Sequence, residues 1–212
     1  MLEKWRSAVF PSMIGLALCL FAIPLLAKGL HLVRDYPPRT EEGLVNVVVE
    51  ISAGTNAKWE VVKASGRLEW EQRDGRPRMV DYLAYPGNYG MVPRTLLPKE
   101  LGGDGDPLDV IILGPAVERG SVQAVRLIGV LELLDGGEQD DKLIAVRPGA
   151  PLGDVTSLEE LDERYAGVSE IVRLWFSNYK GPGKMEAKGF GGPARASEIL
   201  ELAISAYSKS KH

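Results

Sequence analysis

The sequence predicts a mainly β domain, a small barrel, with α-helices gathered towards its C-terminal end. Three observations carry this. Between residues 45 and 146, short β-prone segments alternate with turns rich in Gly, Pro, Asp and Asn. Beyond residue 157 the apolar spacing changes to that of amphipathic helices. The 24 Gly and 14 Pro residues suit a loop-rich fold of short strands.

Taken in order, the chain opens with an apolar leader. Residues 7–27 carry no charge and follow Lys4 and Arg6. As a helix, about 21 residues span roughly 30 Å, the thickness of a hydrocarbon core. Residues 1–30 therefore read as a signal peptide or a membrane anchor, with membrane contact through 7–27, and the alternative is an apolar helix packed within the fold. A cut after Ala27 would place Leu25 where a small residue is preferred, and Leu18 is bulky for a lipoprotein site at Cys19. Lys28, Arg34 and Arg39 balance the charge before the leader, so orientation is not set. Residues 31–43, with Tyr36-Pro-Pro38, read as a linker or arm, and 44–212 as one domain.

Within that domain, strands are predicted over Val45–Ile51, Lys58–Val62 and Arg67–Gln72, the last two joined by a turn at Ala64-Ser-Gly66. Met79–Ala84 reads as a further short strand before a loop at Tyr85–Gly90. Leu108–Leu113 is a strand, Val122–Leu134 a long one interrupted at Gly129 by a bulge or bend, and Lys142–Val146 a short one. Ser157 with Glu160 forms a capping box for a helix over 158–164. Val168–Tyr179 follows, with Ile171, Leu174 and Trp175 as its apolar stripe and Gly181-Pro-Gly183 as its stop. The final helix, Ala194–Ser208, turns Ile199, Leu202, Ala203 and Ala206 inward.

Composition excludes several chemistries. A formal net charge of −4 argues against nucleic-acid binding. Cys19 is the only cysteine, which excludes an intrachain disulfide and a Cys-based zinc site. His31 and His212 stand apart from every cluster, so a histidine base or metal site is not expected. Chemistry must rest on Asp, Glu, Lys, Arg and Tyr.

Asp104-Gly-Asp106-Pro-Leu-Asp109 places three carboxylates within six residues. Gly105 permits a tight bend and Pro107 fixes its exit. Carboxylates this close repel one another, and a hard divalent cation is the usual remedy. An EF-hand is excluded, since Asp109 stands at the sixth loop position and Pro115 at the twelfth. Asp135, Glu138, Asp140 and Asp141, running into Lys142, follow the long strand and can reach the same rim. Taken alone, the first cluster is equally an acidic turn facing solvent, and the second reads more readily as a charged hairpin turn than as a metal site. Lys58, Arg76 or Arg78, Lys142, Lys180 and Lys184 could face the metals and hold a small, highly charged anion, with hydroxyls from Tyr85, Tyr89 and Tyr179.

Glu50, Lys58-Trp-Glu60, Tyr85-Pro-Gly-Asn-Tyr-Gly90, the Asp104–Asp109 segment, Asp135 with Asp140-Asp-Lys142, and Tyr179-Lys180 occur in the order seen in family I soluble inorganic pyrophosphatases. The chain resembles that family over residues 44 to 208. The resemblance implies a five-stranded OB-type barrel with flanking helices, a homo-oligomer of hexameric type, and Mg²⁺-dependent hydrolysis of inorganic pyrophosphate, with Mn²⁺ as an alternative metal. By motif position it implies Asp104, Asp109, Asp135 and Asp140 as ligands of a first metal, Asp109 bridging to a second, and Glu50 and Glu60 helping to hold others. It implies Asp106 as general base, and Lys58, Arg78, Tyr89, Lys142, Tyr179 and Lys180 as groups binding substrate or leaving phosphate. Tyr89 and Lys142 are also placed with Asp106 in the catalytic set. Trp59 stands where the family usually has Tyr, and the spacing leaves Arg76 as an alternative to Arg78.

The apolar leader is foreign to a cytoplasmic member of such a family and points to export or anchoring, leaving a cytoplasmic and a periplasmic or membrane-tethered location both open. Competing readings are an organic or nucleoside diphosphate hydrolase, a non-catalytic OB-type binding module and a catalytically weakened family member. The first needs an aromatic slot or apolar pocket beside the metals, which is not legible in the sequence. The second needs an aromatic, basic strand face, whereas these loops are acidic.

Overall fold

A computed structural model describes residues 29–99 and 102–210. The leader at 7–27 lies outside them, and among the described residues no helix is long and apolar enough to cross a membrane.

The strands are β1 (Val45–Ile51), β2 (Trp59–Val62), β3 (Arg67–Trp70), β4 (Gln72–Arg73), β5 (Arg76–Pro77), β6 (Asn88–Met91), β7 (Asp109–Leu113), β8 (Val122–Asp135), β9 (Glu138–Gln139), β10 (Lys142–Val146) and β11 (Met185–Gly191). The helices are α1 (Leu158–Arg164), α2 (Val168–Asn178) and α3 (Pro193–Lys209). Sheet order runs β1-β6-β7-β10-β8, and β8 pairs back onto β1. Five strands thus close into a barrel, with the third, β7, parallel to the fifth, β10. That is the Greek-key closure of an OB-type fold. The far end of β8 continues beyond the barrel to pair with β11 and β9.

Two bulges shape the barrel. Val49 pairs with Gly90 and Ile51 with Tyr89, leaving Glu50 as the extra residue of β1. Gly129 pairs with Ile144 and Leu127 with Ala145, leaving Ile128 extra in β8. A bulge reverses which face later residues address. Val125 and Leu127 accordingly share an apolar cluster with Val130, whereas Ile128 joins Leu131 and Leu133 in the opposite one. The irregularity expected at Gly129 is therefore this bulge, and the strand runs on through it. Gly129 serves close packing as well, since a Cβ there would meet the Leu158 side chain at 2.4 Å.

Both faces of the central strands are covered. One cluster joins Ile111, Ile144 and Leu133 to α1 and α2 through Leu161, Val172 and Phe176; the other joins Val110, Leu143 and Ala145 to α3 through Ala196, Ile199 and Leu200. The capping box forms, with a longer return arm: Ser157 Oγ accepts from Glu160 N, and the Glu160 carboxylate accepts from Thr156 N.

Several elements differ from expectation. Met79–Ala84 is no strand beyond a single bridge between Met79 and Ala57. Its carbonyls go to side chains instead: Asn56 Nδ2 donates to Val80 O and Tyr82 O, and Trp175 Nε1 to Leu83 O. Arg67–Gln72 ends at Trp70, and Gln72 belongs to a second small hairpin. The expected loop Tyr85–Gly90 is strand β6 from Asn88 onward. Asn88 is fully buried but satisfied, accepting from Ala53 N and Val117 N and donating to Pro115 O. β11 was not expected, because its two glycines and alternating charges mask a strand that depends on β8. In α2, Ile171 and Leu174 face solvent, and Val172, Trp175 and Phe176 make the buried stripe. In α3, Leu202 is exposed and Leu200 takes the inward place. Residues 31–43 are fastened to the body by Leu32 N to Gly66 O and Asn46 N to Pro38 O, with Val33 buried.

Gly90 lets β1 and β6 approach, since a Cβ there would lie 1.9 Å from Val48 O. Gly90→Ala is therefore expected to destabilise the domain by about 1–3 kcal/mol through overpacking against backbone, read as a lowered urea midpoint. An unchanged midpoint would show that the barrel seam is looser than this packing.

Candidate active site

Three adjacent barrel strands and two acidic loops build one cleft. The parallel pairing of β7 and β10 sets Asp109 directly beside Lys142. The loop before β7 bends at Gly105, whose φ is +81°, and Asp104 Oδ1 accepts from Asp106 N at 2.8 Å. A bridge between Gly103 and Gln139, with Gln139 N donating to Gly102 O, ties this loop to the one before β10. Asp140 arrives there by donating its N–H to Leu133 O. Asp135 ends the β8 pairing with β11, opposite Met185.

The result is a cleft of about 380 Å³ lined by Asp104, Asp106, Asp109, Asp135, Glu138 and Asp140 on the acidic side and Lys58, Arg78, Lys142 and Lys180 on the basic side, with Tyr89 and Tyr179 between. A second hollow of about 420 Å³ shares Lys58, Tyr89, Asp104, Asp106 and Asp109 with it and adds Glu50 and Glu60. All thirteen site residues expected from sequence therefore border these two joined spaces. Arg78 lines the cleft, whereas Arg76 lies out on the β4–β5 hairpin. Tyr85 and Asp141 fall outside it. Tyr85 is buried against Trp175, their rings 4.3 Å apart, and Asp141 is turned back to accept from Leu133 N. Trp59 packs its ring on Trp70 at 5.4 Å, so the change from Tyr is one of packing.

The electrostatics are those of crowded charge. Lys142 is fully buried, with Nζ donating to Asp109 Oδ2 at 2.6 Å and to Asp140. Burial works against its charge, but the two carboxylates outweigh it and hold its pKa above the ordinary lysine value. Lys180 pairs with Asp135, and Lys63 with Asp106. Burial pushes the Asp104 carboxyl up to about 6, reinforced by the fields of Asp106, Asp109 and Asp140. Burial likewise pushes Glu50 up to about 7, against the pull of Lys58, while Glu50 accepts from Val61 N at 2.7 Å. Lys58 Nζ lies 5.0 Å from the centre of the Tyr89 ring. Burial also raises the Tyr89 hydroxyl well above its ordinary value, which keeps it a proton donor.

Among the described residues no group of three or more His, Cys, Asp or Glu is disposed to hold a metal ion as it stands. The carboxylates grip lysines instead. Their chemistry nevertheless fits a hard divalent cation. Every donor is a carboxylate oxygen, six acidic groups outnumber four basic ones in the cleft, and burial, reinforced by acidic neighbours, already disfavours the charge on Asp104.

Comparison with known proteins bears on this arrangement. The inorganic pyrophosphatase family profile matches residues 47–208. The chain belongs to the inorganic pyrophosphatase family. It is 36% identical over 174 residues to an inorganic pyrophosphatase of Helicobacter pylori, covering 76% of this chain and 90% of that one. Its fold matches the crystal structure of the type I inorganic pyrophosphatase of Toxoplasma gondii with a TM-score of 0.78 at 29% identity, over 85% of this chain and 88% of that one. The Thermus thermophilus inorganic pyrophosphatase matches with a TM-score of 0.71 at 26% identity, over 84% and 99% respectively. As a pyrophosphatase-family domain, this one has two neighbours of the cleft that the sequence did not single out. Lys63 holds Asp106, and Arg78 Nη1 donates to Glu71 Oε1 at 2.7 Å. Neither lies in a distinctive motif; only the β2–β3 hairpin geometry brings them in.

Lys142→Met removes the cation shared by Asp109 and Asp140. In metal-free protein this is expected to cost about 3–5 kcal/mol, the penalty of a broken buried pair. Denaturant unfolding checks it, and an unaltered midpoint would mean that the carboxylates are already solvated without the lysine.

Proposed function

We propose that this cleft hydrolyses inorganic pyrophosphate to two phosphates with the aid of Mg²⁺, the activity named for the family to which the chain belongs. The observation that carries this reading is the convergence of the two acidic loops with Lys58, Arg78, Lys142 and Lys180 around one small polar space. Such a space suits a compact polyanion that arrives with its own counter-cations. Asp104, Asp109, Asp135 and Asp140 would hold metal, with Glu50 and Glu60 serving further ions, and Mn²⁺ fits the same donors. Bound metal would supply neutralisation of phosphate charge and a lowered pKa for the attacking water.

The chain's own groups do the rest. Asp106 is the general base that takes the proton from the attacking water. It is the most solvent-open of the three carboxylates in its loop, so it can exchange that proton with bulk. Arg78, Lys58, Tyr179 and Lys180 bind and orient phosphate oxygens. Tyr89 donates its hydroxyl, and Lys142, held charged, stabilises the leaving phosphate as negative charge develops on it. An assembly of several copies, of hexameric type, is part of the same reading.

Asp106→Asn is expected to lower kcat for pyrophosphate about 10²–10⁴-fold while Mg²⁺ binding by calorimetry is largely kept. EDTA should abolish phosphate release from the unsubstituted protein, and added Mg²⁺ should restore it. Full turnover by the Asn variant would remove the proposed base.

The segment 7–27 is proposed as an export signal or anchor for this domain. The mature protein from its native cell should either begin after the leader or fractionate with membranes. A full-length mass found only in the soluble pool would overturn that.

A further inference from the structure

Two cations of the cleft, Lys58 and Arg78, meet through one backbone oxygen. Arg78 O accepts from Lys58 N at 3.0 Å and from the indole Nε1 of Trp70 at 2.9 Å. Arg78 follows β5 at the exit of the exposed β4–β5 hairpin and belongs to no strand. Its own N–H donates to Glu71 O at 2.8 Å. Trp70 borders neither the cleft nor the hollow beside it, so it can reach a bound anion only through Lys58 and Arg78. The indole is oriented in turn from the hairpin. Trp59, its cross-strand partner, stacks on it with ring centres 5.4 Å and planes 25° apart, and the Arg119 guanidinium lies 3.9 Å from the Trp59 ring centre. Neither tryptophan belongs to the apolar clusters of the barrel. The two indoles differ in one respect: Trp70 uses its N–H, whereas Trp59 Nε1 is buried with no partner among the described residues.

We propose that Trp70 is a positioning residue for substrate binding: its indole N–H, held by the stack on Trp59, fixes the Arg78 carbonyl and with it the spacing of the Lys58 and Arg78 side chains. This rests on the pyrophosphatase reading of the cleft. A small displacement of a binding group is costly where two cations must meet the oxygens of one compact anion. A single neutral hydrogen bond is a modest interaction, and this one lies outside the core, so losing it loosens the two cations without unfolding the domain. Lys58 and Arg78 hold phosphate oxygens in the bound substrate as well as in the transition state, so the loosening raises KM and leaves kcat nearly as it was.

The test compares Trp70→Phe with Trp59→Phe in the full chain. Both keep an aromatic ring in the stack, but only the first removes a hydrogen bond. Pyrophosphate hydrolysis in Mg²⁺ and urea unfolding are measured for each. Trp70→Phe should raise KM about fivefold, as the loss of one neutral hydrogen bond would, with kcat kept within about twofold and the urea midpoint unchanged. Trp59→Phe should leave KM as it is. The effect of Trp70→Phe should shrink when Arg78 is already Ala, because part of what the indole positions is then gone. An equal rise in KM for both Phe variants would assign the pair to packing and overturn the inference. So would an unchanged KM in Trp70→Phe, a loss confined to its urea midpoint, or an undiminished effect in the Arg78→Ala background. Any of these, with the unsubstituted chain active, leaves the proposed function standing. No turnover of pyrophosphate by the unsubstituted chain sinks the underlying reading, and this inference with it.

Discussion

A lysine ammonium group with almost no solvent, held between Asp109 and Asp140, is the constraint around which the site is arranged. An unpaired charge in that position would cost several kcal/mol, so both carboxylates must lie within hydrogen-bond reach. Asp109 is in reach only because β7 and β10 run parallel in the register that sets it beside Lys142. Sliding either strand by one residue would turn its side chain to the opposite face. The apolar clusters on both faces forbid such a slip, since it would exchange Ile144 and Val146 with Leu143 and Ala145. Core packing thus sets the register, and the register sets the charges.

The same pair shows how the cleft tolerates so much acid before any cation enters it. Lys142, Lys180 and Lys63 each hold carboxylates that would otherwise repel one another. Internal ammonium groups and external metal ions are alternative partners for these oxygens. On the proposed reading, a metal bound by these oxygens would compete with a lysine, and the released lysine would become free for a phosphate oxygen. On that reading, exchange of cations would let one site open to both metal and polyanion.

Much of this was legible along the chain because it is local. The acidic hexapeptide with its glycine and proline, the β-branched runs of β1, β7 and β10, and the capping box at Ser157 all act within a few residues of themselves. Elements that depend on a distant partner were less legible. Met79–Ala84 has the composition of a strand, but its carbonyls find Asn56 and Trp175 rather than a neighbouring strand. β6 and β11 look like loops because Asn88, Gly90, Gly189 and Gly191 have weak β propensity; barrel closure and the long reach of β8 make them strands. Ile171 and Leu174 match a helical stripe in spacing, yet Val172 and Phe176 win the inward face because the packed side of α2 is chosen by its neighbours.

By itself the sequence determined the chemical vocabulary: carboxylates, amines, guanidinium groups and phenols, with no thiol or imidazole in the clusters, together with those strands and helices that local signals specify, such as β1, β7, β10 and α1. Tertiary structure decided which of these groups share a space. It selected Arg78 over Arg76, withdrew Tyr85 and Asp141 into structural roles, and brought Lys63 and Glu71 to the edge of the cleft. The division has a simple cause. Backbone preference and charge type belong to single residues and their near neighbours, whereas convergence depends on strand register, on bulges at Glu50 and Ile128, and on loop-to-loop hydrogen bonds between residues far apart in the chain.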